Sequence, residues 1–528
     1  MSCVVVVGLV GLASRPRLLY VIHNFLPESV AGTELHTLWL SLELAKKYDI
    51  FLFTSTHDPM LEEYAIRDDH FQGLKVRRVK VANKFWLDPS DNYLNSRVAD
   101  IFADYVDEVR PALVHIHHTV GLSSSIVEVA VSKGVPVVLQ MRDFYYMCQK
   151  VHLFNAALHL CDGPEDGRKC ADCIKTDSDR YLRRHETPPP ATAFEQAGIY
   201  RTEYMRRILL LPDTIICPSP FVKEKYVEFG VPANKMIVSP TGIKLPQTPM
   251  RQEGPNEGVV FGFIGQPSYY KGIDTLLDAF GMLDQTRAEL RICGGEPEVV
   301  ERLRKRVNGL SVQFLGNYSH EQLPDILSHV DVVVQPSICH ESYSLAIREA
   351  FAAGIPVIVS NIRAQMDAVR NEKNGLHFRA GDAVDLSHKM NLFIQNPALL
   401  HDYSKHIPHV RSITDQASEF AKIYQKLIQA KRRSRPTMVA RLSTAREYRT
   451  DALLQRLEQV FRPSIVATRD QLESLRNERE SLRNELEAIH GSLGYKWMTF
   501  YSSRIDRLMP DGTKRGKLRK KVTSFFKS

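Results

Sequence analysis

Ten short apolar runs, separated by segments long enough for helices, constrain this chain more than any other feature of its sequence. RLLYVIHNF (17–25), IFLFTST (50–56), ALVHIHH (112–118), VPVVLQM (135–141) and TIICPS (214–219) form a first series. VVFGFIG (259–265), LRICGG (290–295), VQFLG (312–316), DVVVQPS (331–337) and PVIVS (356–360) form a second. Strands with so little polar alternation are buried on both faces, which is the pattern of a parallel sheet covered by helices. Alternation of such strands with helices predicts an α/β fold with two doubly wound, Rossmann-like domains. The boundaries follow the two series: residues 17–245 and 258–430, joined by the Pro- and Gly-containing stretch LPQTPMRQEGPNEG (245–258). A cleft between two such domains is a natural ligand site.

The stretch HESYSLAIREAFAAGIPVIVS (340–360) supplies the chemistry, because it joins two carboxylates, Glu341 and Glu349, to a loop, a helix start and a buried strand. If residues 343–353 are helical, the amides of Ser344 and Leu345 are unpaired donors at the positive end of the helix dipole, where a diphosphate binds well. Glu349 then lies two turns further on, and at ~1.5 Å rise per residue the two carboxylates stand up to about 12 Å apart. That span is comparable with the reach from a sugar across a diphosphate to its ribose. Two glutamates at this spacing occur by chance in many helices. What raises the motif above chance is its place after the carboxyl end of a parallel strand, where α/β proteins put ligands.

A long, ordered set of segments resembles the retaining nucleotide-sugar glycosyltransferases of family four, the group 1 enzymes with the GT-B fold. The segments are FGFIGQPSYYKGIDTLLDAF (261–280), RICGGEPE (291–298), FLGNYSHEQLPDIL (314–327), DVVVQPSICHESYSLAIREAFAAGIPVIVS (331–360) and NEKNGLHFRAGD (371–382). The resemblance implies that Glu341 faces the donor sugar and Glu349 holds the ribose. It places Lys271, after the strand end at Gly265, on the departing diphosphate, and it shows Gln266 where relatives commonly have a second cation. In NFLPESVAGTELHTL (24–38), Gly32 would let backbone amides approach a phosphate. In VHIHH, His117 matches the second His of an HxH pattern beside the donor sugar; as residues alone, buried histidines at a strand end are more often structural. His118 and Arg142, the latter where relatives often carry His before an Asp, are read as shaping the acceptor side. The implied reaction is sugar transfer with retention, without a protein nucleophile and with no cofactor required for catalysis. The one DxD, Asp177 to Asp179, is read as an incidental loop sequence.

Eight cysteines in 528 residues are too few for a secreted disulfide scaffold, and a reducing cytosol suits them. Four are clustered: Cys148, Cys161, Cys170 and Cys173, the last two as CADC. They define a Cys-rich insert (148–173) and a candidate structural zinc shell, with reduced loop cysteines as the other reading. The start, MSCVVVVGLVGLASRPR, has an apolar stretch but no basic beginning, and residues 1–16 are read as an extension rather than a signal peptide.

Beyond residue 430 the composition changes. Residues 431–528 hold 23 Lys or Arg against 11 Asp or Glu, so the tail carries +12 and the rest of the chain −4. Within it, Leu475, Leu482 and Ile489 fill one apolar heptad position. Leu472, Leu486 and Leu493 fill the other, with Arg479 the exception, which points to a coiled coil and a homo-oligomer. Trp497, Phe500, Tyr501, Ile505 and Leu508 then recur at helical spacing among basic residues, a pattern that suits an anionic membrane surface. A slightly acidic body without nucleic-acid motifs argues against nucleic acid. The resulting expectation is a cytoplasmic, membrane-peripheral transferase acting on a glycan or lipid-linked acceptor in surface-polysaccharide synthesis. The alternatives are a maker of small soluble glycosides or sugar phosphates, and a scaffold with an inactive transferase body.

Overall fold

The computed structural model describes residues 15–81, 93–179, 191–244, 258–433 and Ser481. The first lobe carries eight strands: β1 (Arg17–Val21), β2 (Asp49–Thr56), β3 (Ile66–Phe71), β4 (Leu74–Lys80), β5 (Leu113–Ile116), β6 (Val137–Gln140), β7 (Thr214–Cys217) and β8 (Met236–Val238). The second carries six: β9 (Val259–Ile264), β10 (Ala288–Cys293), β11 (Val312–Gly316), β12 (Val332–Gln335), β13 (Val357–Ser360) and β14 (Gly375–Phe378). All ten apolar runs are strands, so the two doubly wound sheets read from the sequence are those of the structure.

The sheets are ordered β3-β4-β2-β1-β5-β6-β7-β8 and β11-β10-β9-β12-β13-β14. Every pairing is parallel except β3 with β4. The central strands β5, β6, β12 and β13 are buried along their whole length, as their uninterrupted apolar sequence requires. At the edge, β3 alternates exposed and half-buried residues, and its IRDDHF sequence gives no apolar run. It exists because β4 pairs with it across a two-residue turn at Gln72 and Gly73, both left-handed (φ 49° and 82°), the turn that matches strand twist.

Strand order reverses beside β1, which lies between β2 and β5, and beside β9, which lies between β10 and β12. Such reversals open a crevice at the carboxyl ends of the flanking strands, since the connections leave toward opposite faces. The four loops after β1, β5, β9 and β12 are those that carry Gly32, His117, Gly265 with Lys271, and Glu341.

The last described helix, Ile413–Arg433, falls for all but its last three residues within the range assigned to the second domain but packs on the first sheet. Its Phe420 and Tyr424 are fully buried there, and the Tyr424 hydroxyl lies 2.9 Å from that of Tyr20 on β1. The first lobe is thus built from two separated stretches of chain. Asp177 to Asp179 close the helix Ala171–Asp179 instead of lying in a loop. No helix among the described residues is long and apolar enough to cross a membrane. Residues 1–14, the linker 245–257, and the coiled-coil and amphipathic segments of the tail, Ser481 excepted, lie outside the described residues.

Candidate active site

A cleft of ≈ 460 Å³ runs between the two switch points and is lined by both lobes. It gathers Gly32, Gly265, Lys271, Glu341, Ser344, Leu345 and Glu349, seven of the eight candidates for catalysis and donor binding. His117 is not among the lining residues.

The helix after β12 begins later than its sequence suggests, spanning Leu345–Ala352. Ser344 precedes it with φ 58° and ψ 94°, a strained conformation for a residue with a side chain, and makes no side-chain cap. The first-turn amides are therefore unsatisfied by the protein and open to the cleft. Glu341 stands in the loop before the helix, not on it, so the eight-residue spacing of the glutamates is a loop-to-helix distance rather than two helical turns. The hydroxyl of Ser219, from the first lobe, donates to the Ser342 carbonyl at 2.8 Å and ties this loop across the cleft.

Glu341 is paired with Lys271, whose Nζ donates to Oε1 at 2.6 Å, and Ser337 Oγ donates to the same oxygen at 2.7 Å. Burial works against the charge of Lys271, but the facing carboxylate outweighs it and holds the lysine above its ordinary pKa. Burial likewise opposes the charge of Glu341, and Lys271 outweighs it, so the carboxyl stands below its ordinary value. Each is the other's reason for being ionised.

Lys271 is positioned by Gly272, which has φ 68°, a region that favours glycine. A Cβ there would sit 1.9 Å from the Pro336 carbonyl oxygen, at the end of β12. Gly272→Ala is therefore expected to lower the unfolding free energy by roughly 2–4 kcal/mol. Chemical denaturation measures this, and a wild-type midpoint would show that the loop tolerates displacement.

Glu349 is buried and lies 3.9 Å from the ring of His320, which burial keeps neutral at pH 7 and which packs at a tilt against Trp39 of the first lobe. With no charged partner, burial pushes the Glu349 carboxyl up to about 7. Across the cleft, Gly32 opens the helix Gly32–Leu44, and a Cβ on it would be 2.9 Å from Cδ1 of Leu345. The amino ends of two helices, one from each lobe, thus face each other over the space that Lys271 borders. Gln266 lines the cleft too, but its amide donates to Asn317 at 3.0 Å and brings no charge.

His117 is fully buried behind Arg142. Arg142 Nη2 donates to Nδ1 of His117 at 2.7 Å and to Nδ1 of His36 at 2.8 Å. Both imidazoles accept only because burial keeps them well below their ordinary pKa and so neutral. It is Arg142 that reaches the cleft wall. His118 pairs with Asp143 at 2.9 Å. Sequence reasoning also passed over Ser337, Ser219 and His320; the Pro-Ser that follows β12 was the available signal for the first.

Cys148, Cys161, Cys170 and Cys173 are all half-buried. Burial first, and then the neighbouring thiols, push Cys170 up to about 12 and Cys173 up to about 11, so these two are protonated. Among the described residues no group of three or more His, Cys, Asp or Glu side chains is placed to hold a metal ion.

Comparison with known proteins bears on the family and the fold. Residues 30–246 match Glycosyltransferase Family 4, and residues 247–409 match Glycosyl transferases group 1. Relatives include a glycogen synthase of Mycobacterium tuberculosis, 27% identical over 35% of this chain and 46% of its own. A GDP-mannose-dependent phosphatidylinositol dimannoside mannosyltransferase of the same species is 24% identical over 35% and 50%. The chain spans about half the length of these curated relatives. Among solved structures, sucrose-phosphate synthase from Thermosynechococcus elongatus superposes with TM-score 0.56 at 18% identity, covering 79% of this chain and all of the other. Anabaena HepE, solved with UDP and glucose, gives 0.54 at 14%, covering 78% and 99%. At these identities the likeness is one of fold.

Proposed function

Since the chain belongs to the family 4, group 1 glycosyltransferases, we propose that its cleft transfers a sugar, with retention at the anomeric carbon, from a nucleotide diphosphate sugar to a glycan or lipid-linked acceptor of a cell-surface polysaccharide. The observation that carries this reading is the Lys271–Glu341 ion pair set beside open helix amides, with the buried Glu349 one turn into the helix that follows. The diphosphate lies against the amides of Ser344 and Leu345 and the Lys271 ammonium, which take the charge that grows as the glycosidic bond breaks. Glu341 faces the sugar and Glu349 accepts from the ribose hydroxyls. The departing phosphate oxygen takes the acceptor proton on the face it has just left, so the bond forms on that face and no protein nucleophile is used. Protein cations and amides serve where other enzymes use a metal ion.

The basic tail carries the surface part of the proposal: a peripheral enzyme at a cytoplasmic membrane face, self-associated through the heptads. The HepE structure solved with UDP and glucose supports a nucleotide-sugar donor. A panel of nucleotide sugars incubated with a membrane extract, with the product's anomeric configuration read by NMR, tests the chemistry. Retention is expected. An inverted product would overturn the stereochemistry, and absence of transfer and of nucleoside diphosphate release from every donor would favour a scaffold.

A further inference from the structure

Besides the tyrosines Tyr318 and Tyr343, five charged or titratable side chains line the cleft among the described residues: Arg142, Lys271, His320, Glu341 and Glu349. Lys271 and Glu341 cancel within their ion pair. His320 is neutral, and Glu349 brings either nothing or a negative charge. Without Arg142, a donor diphosphate carrying two negative charges would enter a cleft with no cation free of an ion pair, and at short range in a partly dry site that repulsion is large.

Arg142 is that cation. The carboxyl groups of Glu34 and Asp143 act on it through space, but it forms no ion pair among the described residues, and its protein hydrogen bonds are the two from Nη2 to the neutral imidazoles of His36 and His117. Its Nε–H is buried without a partner, and among the described residues the only hydrogen bonds of this guanidinium come from Nη2. A guanidinium has five donors in a planar fork suited to phosphate oxygens, and here most of the fork is unspent. Its place is also set. His36 lies one turn into the helix that Gly32 opens, and His36 Nε2 donates to Gln416 Oε1 at 2.6 Å. The Gly242 amide donates to the same oxygen at 2.8 Å, which fixes the amide, the ring tautomer and so the guanidinium. The fork is held on the side of the cleft where the two helix amino ends face each other.

We propose that Arg142 binds the diphosphate of the donor, supplying from the first lobe the second positive charge that Gln266 does not supply from the second. This rests on the reading of the cleft as a nucleotide-sugar site.

The test is calorimetric titration of the full chain with UDP, GDP and ADP, and with UMP, GMP and AMP. The wild type is expected to bind at least one diphosphate. Arg142→Gln should weaken that binding about tenfold to a hundredfold, as expected for a charge-assisted hydrogen bond, and weaken the matching monophosphate far less. Arg142→Lys should lie between the two. Adding Gln266→Arg to Arg142→Gln should recover most of the lost diphosphate affinity, an outcome that a merely structural arginine would not produce. Unchanged diphosphate affinity in Arg142→Gln, or equal loss for mono- and diphosphate without rescue, overturns the proposal. A folded wild type that binds none of the three diphosphates overturns the nucleotide-sugar reading with it.

Discussion

Lys271→Ala is expected to lower the rate of sugar transfer at saturating donor by a factor of about 10²–10³, the usual effect of removing one preorganised group from developing charge. The ammonium loses its role twice. It no longer meets the leaving diphosphate, and Glu341, whose side chain is 11% exposed, is left in the cleft with only the Ser337 hydroxyl. A carboxylate so deprived shifts toward its protonated form, because burial opposed its charge all along. Glu341→Ala should cost as much by removing the group that faces the sugar. Because each member keeps the other ionised, the double variant should lose clearly less than the product of the single losses. Steady-state kinetics measures all three, with circular dichroism to confirm the fold. A wild-type rate in both single variants would remove the pair from the mechanism.

Glu349→Gln should make the protein more stable at pH 8 while weakening nucleotide binding. The folded-state carboxyl stands at about 7 against an ordinary 4.5. Between those values the folded chain binds more protons than the unfolded one, so this group's contribution to stability falls as pH rises through the window. Above pH 7 the cost is fully present, and below about 4.5 it is absent. A shift of this size corresponds to roughly 3 kcal/mol. The neutral Gln avoids it, and its advantage over wild type should grow between pH 4.5 and 7 and then level off. The other titratable neighbours, Tyr318 and His320, do not change this sign. Burial raises the phenol far above the window, and it holds the imidazole below its ordinary value. Ribose hydroxyls donating to Glu349 favour its ionised form. Nucleotide binding should therefore tighten as pH rises through 7 and release protons there, and Glu349→Gln should abolish both effects. Thermal melts and calorimetry across pH 4.5–8 test this. A Gln variant no more stable than wild type at pH 8 would show that Glu349 is already satisfied within the protein.

The strands that carry the site were legible because buried parallel strands announce themselves as local apolar runs. Those that were not legible are formed by context. The polar IRDDHF edge strand β3 is held by pairing with β4. Nearby, Arg78 Nε donates to Asp69 at 2.8 Å. β8 is three residues long, and β14 is a GLHF segment after a turn. Lys271, Glu341 and Glu349 could be read for a similar reason: each follows a recognisable strand, and its loop carries its own glycine or helix start. That His117 lies behind Arg142 was not legible, because a strand-end histidine shows neither its depth nor the arginine in front of it. The late start of the helix at Leu345 was invisible because nothing in YSLAIREA marks Ser344 as left-handed.

From the sequence alone come the two parallel sheets, the loops at their carboxyl ends and the residue types that chemistry requires there, since these depend on periodicity and neighbours along the chain. Which charges are spent and which are free was decided only by the tertiary structure. Lys271 meets a carboxylate 70 residues away, and Arg142 meets imidazoles 25 and 106 residues away. Gln416, 380 residues from His36, holds one of those rings in place. Ion pairing and desolvation act through space over a few ångströms, and only the folded chain brings such distant residues that close.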